Sequence, residues 1–223
     1  MTMKTIAIIP ARGGSKRLPG KNLLPLAGRS LLAYSIEYAK AQGDLLDAIV
    51  VSTDSEEIKQ EALALGVEVV DRPAELASDT ASTVSVLQHA VLTLDEKYDA
   101  VVLFQVTNPL RPEPLFREAL DAFQRDNSES LMTVTRNHQK FGKIEGGVFI
   151  PFNYEMGQRS QDLEPLYYEN GLLYITKANL IAEGTILGEK NIPFVVDHPY
   201  AELDIDTQED LDLAEYLLTK YQN

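Results

Sequence analysis

Thr5-Ile6-Ala7-Ile8-Ile9-Pro10-Ala11-Arg12-Gly13-Gly14-Ser15-Lys16-Arg17-Leu18-Pro19-Gly20-Lys21-Asn22 is an apolar run that breaks into a loop of glycines and cations. Residues 5–9 show no apolar/polar alternation, so they predict a strand covered on both faces, the mark of a parallel α/β sheet. The loop holds Arg12, Lys16, Arg17 and Lys21 with Gly13, Gly14 and Gly20. Glycine lets backbone N–H groups approach an anion, and Arg and Lys neutralise it, so the loop predicts a phosphate cradle. It is not a Walker A loop: five residues separate Gly14 from Gly20-Lys21, and Asn22 stands where Ser or Thr would hold magnesium. The glycine spacing also departs from the dinucleotide fingerprint. The competing reading is a solvated basic surface loop. Loops at strand ends of α/β sheets are where ligands bind, which favours the cradle.

Beyond the loop, Ser30 is placed to cap a helix over 31–42 that Gly43 ends. Residues 47–52 read as a second buried strand, and Asp54 with Glu57 resembles a capping box for a helix to Leu65. Further strands are expected at 67–70, 98–105 and 130–135, and helices at 83–95 and 113–125, with a polar loop at 72–83. Such alternation predicts a mostly parallel α/β sheet with helices on both faces. Residues 136–170 lose the pattern and predict an excursion, a hairpin or arm serving a subunit contact or a substrate lid. Strands at 171–176 and 192–196 follow, then a helix to Tyr221 that Thr207 and Asp210 can cap. The whole of 1–223 reads as a single domain with this extension.

A net charge of −14 argues against a general nucleic-acid binder and makes the basic loop, with four of the 20 Lys and Arg, the natural landing place for an anion. With no cysteine there is no disulfide framework and no thiol chemistry. No charged-then-apolar leader and no membrane-length apolar run is read, so a cytoplasmic protein is expected.

A second site is Asp204-Ile205-Asp206. In an extended segment residues i and i+2 share a face, so the two carboxylates are placed to grip a hard cation such as Mg2+ while Ile205 turns to the core. The competing reading makes Asp206 a helix cap. Cationic loop and carboxylate pair together are equipment for phosphoryl or nucleotidyl transfer. His89, His138 and His198 form no cluster in the chain. Tyr167-Tyr168 beside Asn170-Gly171 suits either a sugar pocket or ordinary aromatic burial.

These motifs resemble the CMP-sialic acid synthetases, or acylneuraminate cytidylyltransferases, over essentially the whole chain. The resemblance rests on residues 9–22, on Val-Ser-Thr-Asp-Ser-Glu-Glu-Ile (51–58), on Arg-Pro-Ala-Glu-Leu-Ala-Ser-Asp-Thr-Ala-Ser (72–82) and on Asp-Ile-Asp-Thr (204–207). It implies a Rossmann-like fold with a small dimerisation extension, and transfer of CMP from CTP to a nine-carbon 2-keto sugar acid with release of pyrophosphate. It implies that Ala11, Arg12, Gly13, Lys21 and Asn22 contact the nucleotide, and that Arg72, Asp79, Thr80, Ser82 and Thr83 hold its base and ribose side. Arg12, Lys21 and Asp206 would be catalytic, and Asp204 and Asp206 would carry magnesium. Gln105, Arg159, Tyr168 and Asn170 would face the sugar acid, in a homodimer whose 136–170 region reaches the partner's site.

Two departures bear on the acceptor. The family's usual Gln-Pro-Thr-Ser-Pro-Leu-Arg is here Gln105-Val106-Thr107-Asn108-Pro109-Leu110-Arg111, and its frequent Arg-Pro-Asn-Gly is Tyr168-Glu169-Asn170-Gly171. A sugar-facing cation has become a tyrosine. Deaminated, legionaminic and pseudaminic acids therefore stand beside N-acetylneuraminate as acceptors. The alternatives are another sugar acid such as a 3-deoxy-octulosonate, and a non-catalytic nucleotide-binding protein of the same fold.

Overall fold

In the computed structural model, which describes residues 3–221, the chain begins with β1 (Thr5–Pro10), a short ribbon of β2 (Pro25–Leu26) and β3 (Arg29–Ser30), and α1 (Leu31–Ala41). Then come β4 (Ala48–Thr53), α2 (Glu56–Ala64), β5 (Glu68–Asp71), α3 (Thr83–Thr93), β6 (Ala100–Leu103), α4 (Leu115–Arg125) and β7 (Ser130–Arg136). A hairpin of β8 (Gly142–Glu145) and β9 (Val148–Pro151) precedes β10 (Tyr167–Lys177), α5 (Ala178–Ala182), β11 (Asn191–Val195) and α6 (Gln208–Tyr221). Seven strands form one sheet in the order β5-β4-β1-β6-β10-β7-β11.

The apolar run of β1 is buried on both faces, as its lack of alternation requires. Ile6 and Ile8 share a core with Leu87 and Ala90 of α3 and Ile181 of α5. Ala7 and Ile9 share the opposite core with Leu32 and Ile36 of α1, Ile58 of α2, Phe116 of α4 and Leu211 of α6. The expected mostly parallel sheet with helices on both faces is present.

β10 is the exception, antiparallel to both β6 and β7. β7 ends at Arg136, the excursion follows, and β10 begins at Tyr167 directly opposite Arg136. A chain that returns at the end where it left pairs antiparallel without needing a crossover helix. The strand starts earlier than the residue-171 expectation, and its register shifts between Glu169 and Tyr174 around Gly171, which has φ 76°. The excursion itself carries the hairpin.

Ser30 caps α1, its Oγ accepting from Ala33 N at 2.9 Å. The cap of α2 is Ser55 rather than Asp54: Ser55 Oγ accepts from Ile58 N at 3.4 Å. Asp54 instead accepts from Gly13 N at 3.0 Å and so ties the basic loop to the end of β4.

Candidate active site

From β1 the sheet grows outward through β4 and β5 on one side and through β6 on the other. Loops leaving the C-terminal ends of β1 and β6 therefore diverge, and such a switch point opens a crevice for ligands. The crevice here is lined by Arg12, Lys21 and Asn22 from the β1 loop and by Arg72 from beyond β5. Asp79 and Thr83 close one side, and Gln105 and Thr107 from beyond β6 close the other.

The far end of the chain reaches the same place. Ile205 is fully buried, and its N–H donates to Thr107 O at 2.8 Å, fixing residues 204–206 against the end of β6. Lys21 Nζ lies 2.8 Å from Asp206 Oδ1, and Arg17 reaches Asp206 Oδ2 at 2.7 Å. Arg12 and Lys16 both pair with Asp79, at 2.9 Å and 2.5 Å. Lys16, and then Arg12, hold the Asp79 carboxyl below the usual carboxylate range. Each loop cation thus faces a carboxylate across the crevice, and an incoming phosphate would compete for it.

Asp206 is not the helix cap. That task falls to Thr207 and Asp210: Asp210 N donates to Thr207 Oγ1 at 3.3 Å, and Thr207 N to Asp210 Oδ2 at 2.8 Å, a reciprocal capping box. The Asp206 carboxylate is free to face the cations. Asp204 reaches solvent and lies beside Thr107, which lines the crevice. Loss of bulk water there raises its pKa, as does the nearby Asp206, against a hydrogen bond from Thr107. Two carboxylates on one extended segment fit magnesium, which takes one or two protein carboxylates and fills its shell with water and phosphate oxygens. Among the described residues no group of three or more His, Cys, Asp or Glu forms a closed metal cage.

Arg72 is buried, its guanidinium donating to Ser52 Oγ at 3.3 Å and to the Ser52 carbonyl. Burial first, and then repulsion from Arg12, lower its pKa to about 10, which leaves it charged at neutral pH. Asn22 donates to Arg12 O at 2.9 Å and so sets the loop's curvature.

Several of the candidate residues have polar groups already engaged within the protein. Ala11 is buried, its N–H spent on Ser52 O at 3.0 Å, and the Gly13 N–H is taken by Asp54. Ser82 Oγ caps α3 through Ser85 N at 3.2 Å, and Thr80 Oγ1 meets Ser78 Oγ at 3.3 Å, so these two hydroxyls are used within their own loop. Thr107 and Ser78, both lining the crevice, were missed. For Thr107 the signal was its position just past the end of a parallel strand.

A second depression adjoins the crevice through the shared Gln105. Tyr168, Glu169, Tyr174, Glu202 and Asp204 line it. The Asn170 side chain is consumed by the bulge: its Oδ1 accepts from Thr133 Oγ1 at 2.6 Å and from Leu172 N at 3.1 Å, and its Nδ2 donates to Thr135 Oγ1 at 3.0 Å. It shapes the depression through the backbone. Arg159 is not brought there either; it stands on the excursion and pairs with Asp162 at 2.7 Å.

A cytidylyltransferase family profile matches residues 6–223. The chain is 35% identical over 216 residues to the N-acylneuraminate cytidylyltransferase of Streptococcus agalactiae serotype V, covering 93% of this chain and 52% of that protein. It thus spans about half the length of that relative. It is 34% identical over 225 residues to the pseudaminic acid cytidylyltransferase of Campylobacter jejuni, covering 96% of each. The fold is also that of a CMP:2-keto-3-deoxy-manno-octonic acid synthetase solved with CTP, at a TM-score of 0.73 and 17% identity over 97% of this chain and 99% of that one. Fold and sequence agree, and the chain belongs to the cytidylyltransferase family.

Proposed function

We propose that this protein transfers CMP from CTP to the anomeric hydroxyl of a nine-carbon 2-keto sugar acid and releases pyrophosphate. The observation that carries the reading is the meeting of Lys21 with Asp206 across the switch point, 185 residues apart in the chain. It unites the anion-binding loop with the carboxylate pair beside the acceptor depression. Arg12 and Lys21 bind the triphosphate oxygens and stabilise the charge that gathers as the bond to the pyrophosphate breaks. Arg72 and Thr83 hold the nucleoside end. Gln105 and Tyr168 orient the acceptor so that its hydroxyl oxygen faces the α-phosphorus. Asp204 and Asp206 would hold magnesium, which supplies charge neutralisation and lowers the pKa of the acceptor hydroxyl.

The working unit in this reading is a homodimer. Ile144 (78% exposed), Val148 (62%) and Phe149 (51%) crowd the hairpin β8–β9, and Phe152 (65%) follows it. A two-stranded hairpin is marginal alone, and a contiguous apolar surface of this kind marks an interface. Such an arm brings Arg159 toward a partner's acceptor site. Among the described residues no helix is long and apolar enough to cross a membrane. We place the reaction in the cytoplasm, which the cysteine-free composition suits.

The test is pyrophosphate release with each of the four nucleoside triphosphates, Mg2+ and a panel of 2-keto sugar acids. CTP-dependent release with a nine-carbon acceptor is expected. Release with no pair refutes the reading.

A further inference from the structure

Arg111 is a buried guanidinium to which none of the chemistry above assigns a role. Its Nε donates to Leu172 O at 2.8 Å, its Nη1 to Ser35 Oγ at 3.2 Å and its Nη2 to Gln105 O at 2.7 Å. The cation lies 5.0 Å from the ring centroid of Phe104 and 5.7 Å from that of Tyr38. Among the described residues no carboxylate pairs with it, and burial lowers its pKa to about 10, so it keeps its charge at neutral pH. A buried charge without a counter-ion is a poor way to stabilise a fold, since an apolar side chain of similar volume serves as well or better. Its three bonds therefore matter for where they fall.

They fall on the partition between the two halves of the site. Gln105 lines both the crevice and the second depression. Its Nε2 donates to Gly171 O at 3.3 Å, and Arg111 grips the carbonyl of Gln105 on one side and that of Leu172, the next residue after Gly171, on the other. From the opposite side Asn108 Nδ2 fastens Asn170 O at 3.2 Å and Leu203 O at 2.7 Å. The space at Gly171 is closed, since an added Cβ would meet Asn108 Oδ1 at 2.8 Å.

We propose that Arg111 is a positioning residue for acceptor binding: its fork clamps the end of β6 to the bulge of β10 and so holds the Gln105 amide between nucleotide and acceptor. The claim rests on the nucleotidyl-transfer reading. Lysine, a compact ammonium, cannot serve three acceptors in a fixed plane.

The test uses Arg111→Lys and the gentler Ser35→Ala, each alone and with Gln105→Ala, with the KM of each substrate read separately. Arg111→Lys is expected to raise the acceptor KM about tenfold and Ser35→Ala about threefold, with the CTP KM within about twofold because Arg12, Lys21 and Arg72 hold that substrate independently. In the Gln105→Ala background both effects are expected to shrink below about twofold. An unchanged acceptor KM, or the same rise with and without Gln105, overturns the proposal. If Arg111→Lys does not fold, the Ser35→Ala cycle decides by the same criterion. If the wild-type protein releases no pyrophosphate with any acceptor, the nucleotidyl-transfer reading fails separately. The NMR signals of the Gln105 side-chain amide then decide: a shift in either variant supports the clamp, and signals that stay in place refute it.

Discussion

Replacing Asp210 with alanine removes the acceptor from which both the start of α6 and the carboxylate turn hang. Asp210 Oδ2 takes hydrogen bonds from Asp206 N at 3.0 Å, Thr207 N at 2.8 Å and Thr207 Oγ1 at 2.9 Å. Loss of a helix-capping side chain costs roughly 0.5–2 kcal/mol, and three donors on one oxygen put this case near the upper end, at about 2 kcal/mol. For a chain of this size that is a fall in Tm of about 4–8 °C. Desolvation pushes the Asp210 pKa up, but the bonds from Asp206 and Thr207 outweigh it and leave the carboxyl below its ordinary value. The carboxylate's contribution is therefore whole above the unfolded pKa of about 3.9 and is lost as pH falls through the lower folded value. Thermal unfolding followed by circular dichroism should show a constant gap between wild type and variant from pH 7 to pH 5, narrowing toward about pH 3 and below. An unchanged Tm at pH 7, or an equal gap in acid, would refute the reasoning.

Asp206→Asn keeps the shape but not the charge facing Lys21 and Arg17; CTP-dependent pyrophosphate release should fall at least about a hundredfold with Tm within a few degrees. Near-normal turnover at low magnesium would show that Asp206 holds no metal. Tyr168→Arg places a cation at the depression and should change the ranking of acceptors in a competition assay, leaving the CTP KM within about twofold; an unchanged ranking would remove Tyr168 from acceptor recognition. Ile144→Lys with Phe149→Lys charges the exposed hairpin and should convert a dimer to a monomer in sedimentation velocity, whereas a wild-type protein that is already monomeric would exclude the proposed arm contact.

The central strand was legible because burial on both faces leaves an uninterrupted apolar run, and β1 carries one. The direction of β10 was not, since an apolar segment holds no record of which way it runs; only the return of the chain to Arg136 decides it. Among the candidate site residues, charge and spacing alone single out Arg12, Lys21, Asp204 and Asp206, whereas Arg72 rests on the resemblance. Ser82, Thr80 and Asn170 were harder. Short polar side chains serve caps, turns and bulges as readily as ligands: here Ser82 caps α3, Thr80 meets Ser78 Oγ, and Asn170 bonds Thr133, Thr135 and Leu172 N. Asp54 and Ser55 are neighbours with equal capping ability, so the sequence did not say which would turn to the loop.

The reversal of β10 keeps two parts of the protein in separate stretches of the chain. Because that strand enters from the ligand end, Tyr168 and Glu169 come directly after the arm, while Leu172 to Thr176 form the buried body of the strand. An exchange of residues 137–169 would therefore replace the arm together with Tyr168 and Glu169 of the second depression in one contiguous stretch, leaving Gln105, Tyr174, Glu202 and Asp204 of its lining in place. The crevice residues that follow β1 and β5 would remain untouched. If the proposed function holds, that stretch is a single cassette in which a new acceptor contact and a new subunit contact could be tried together.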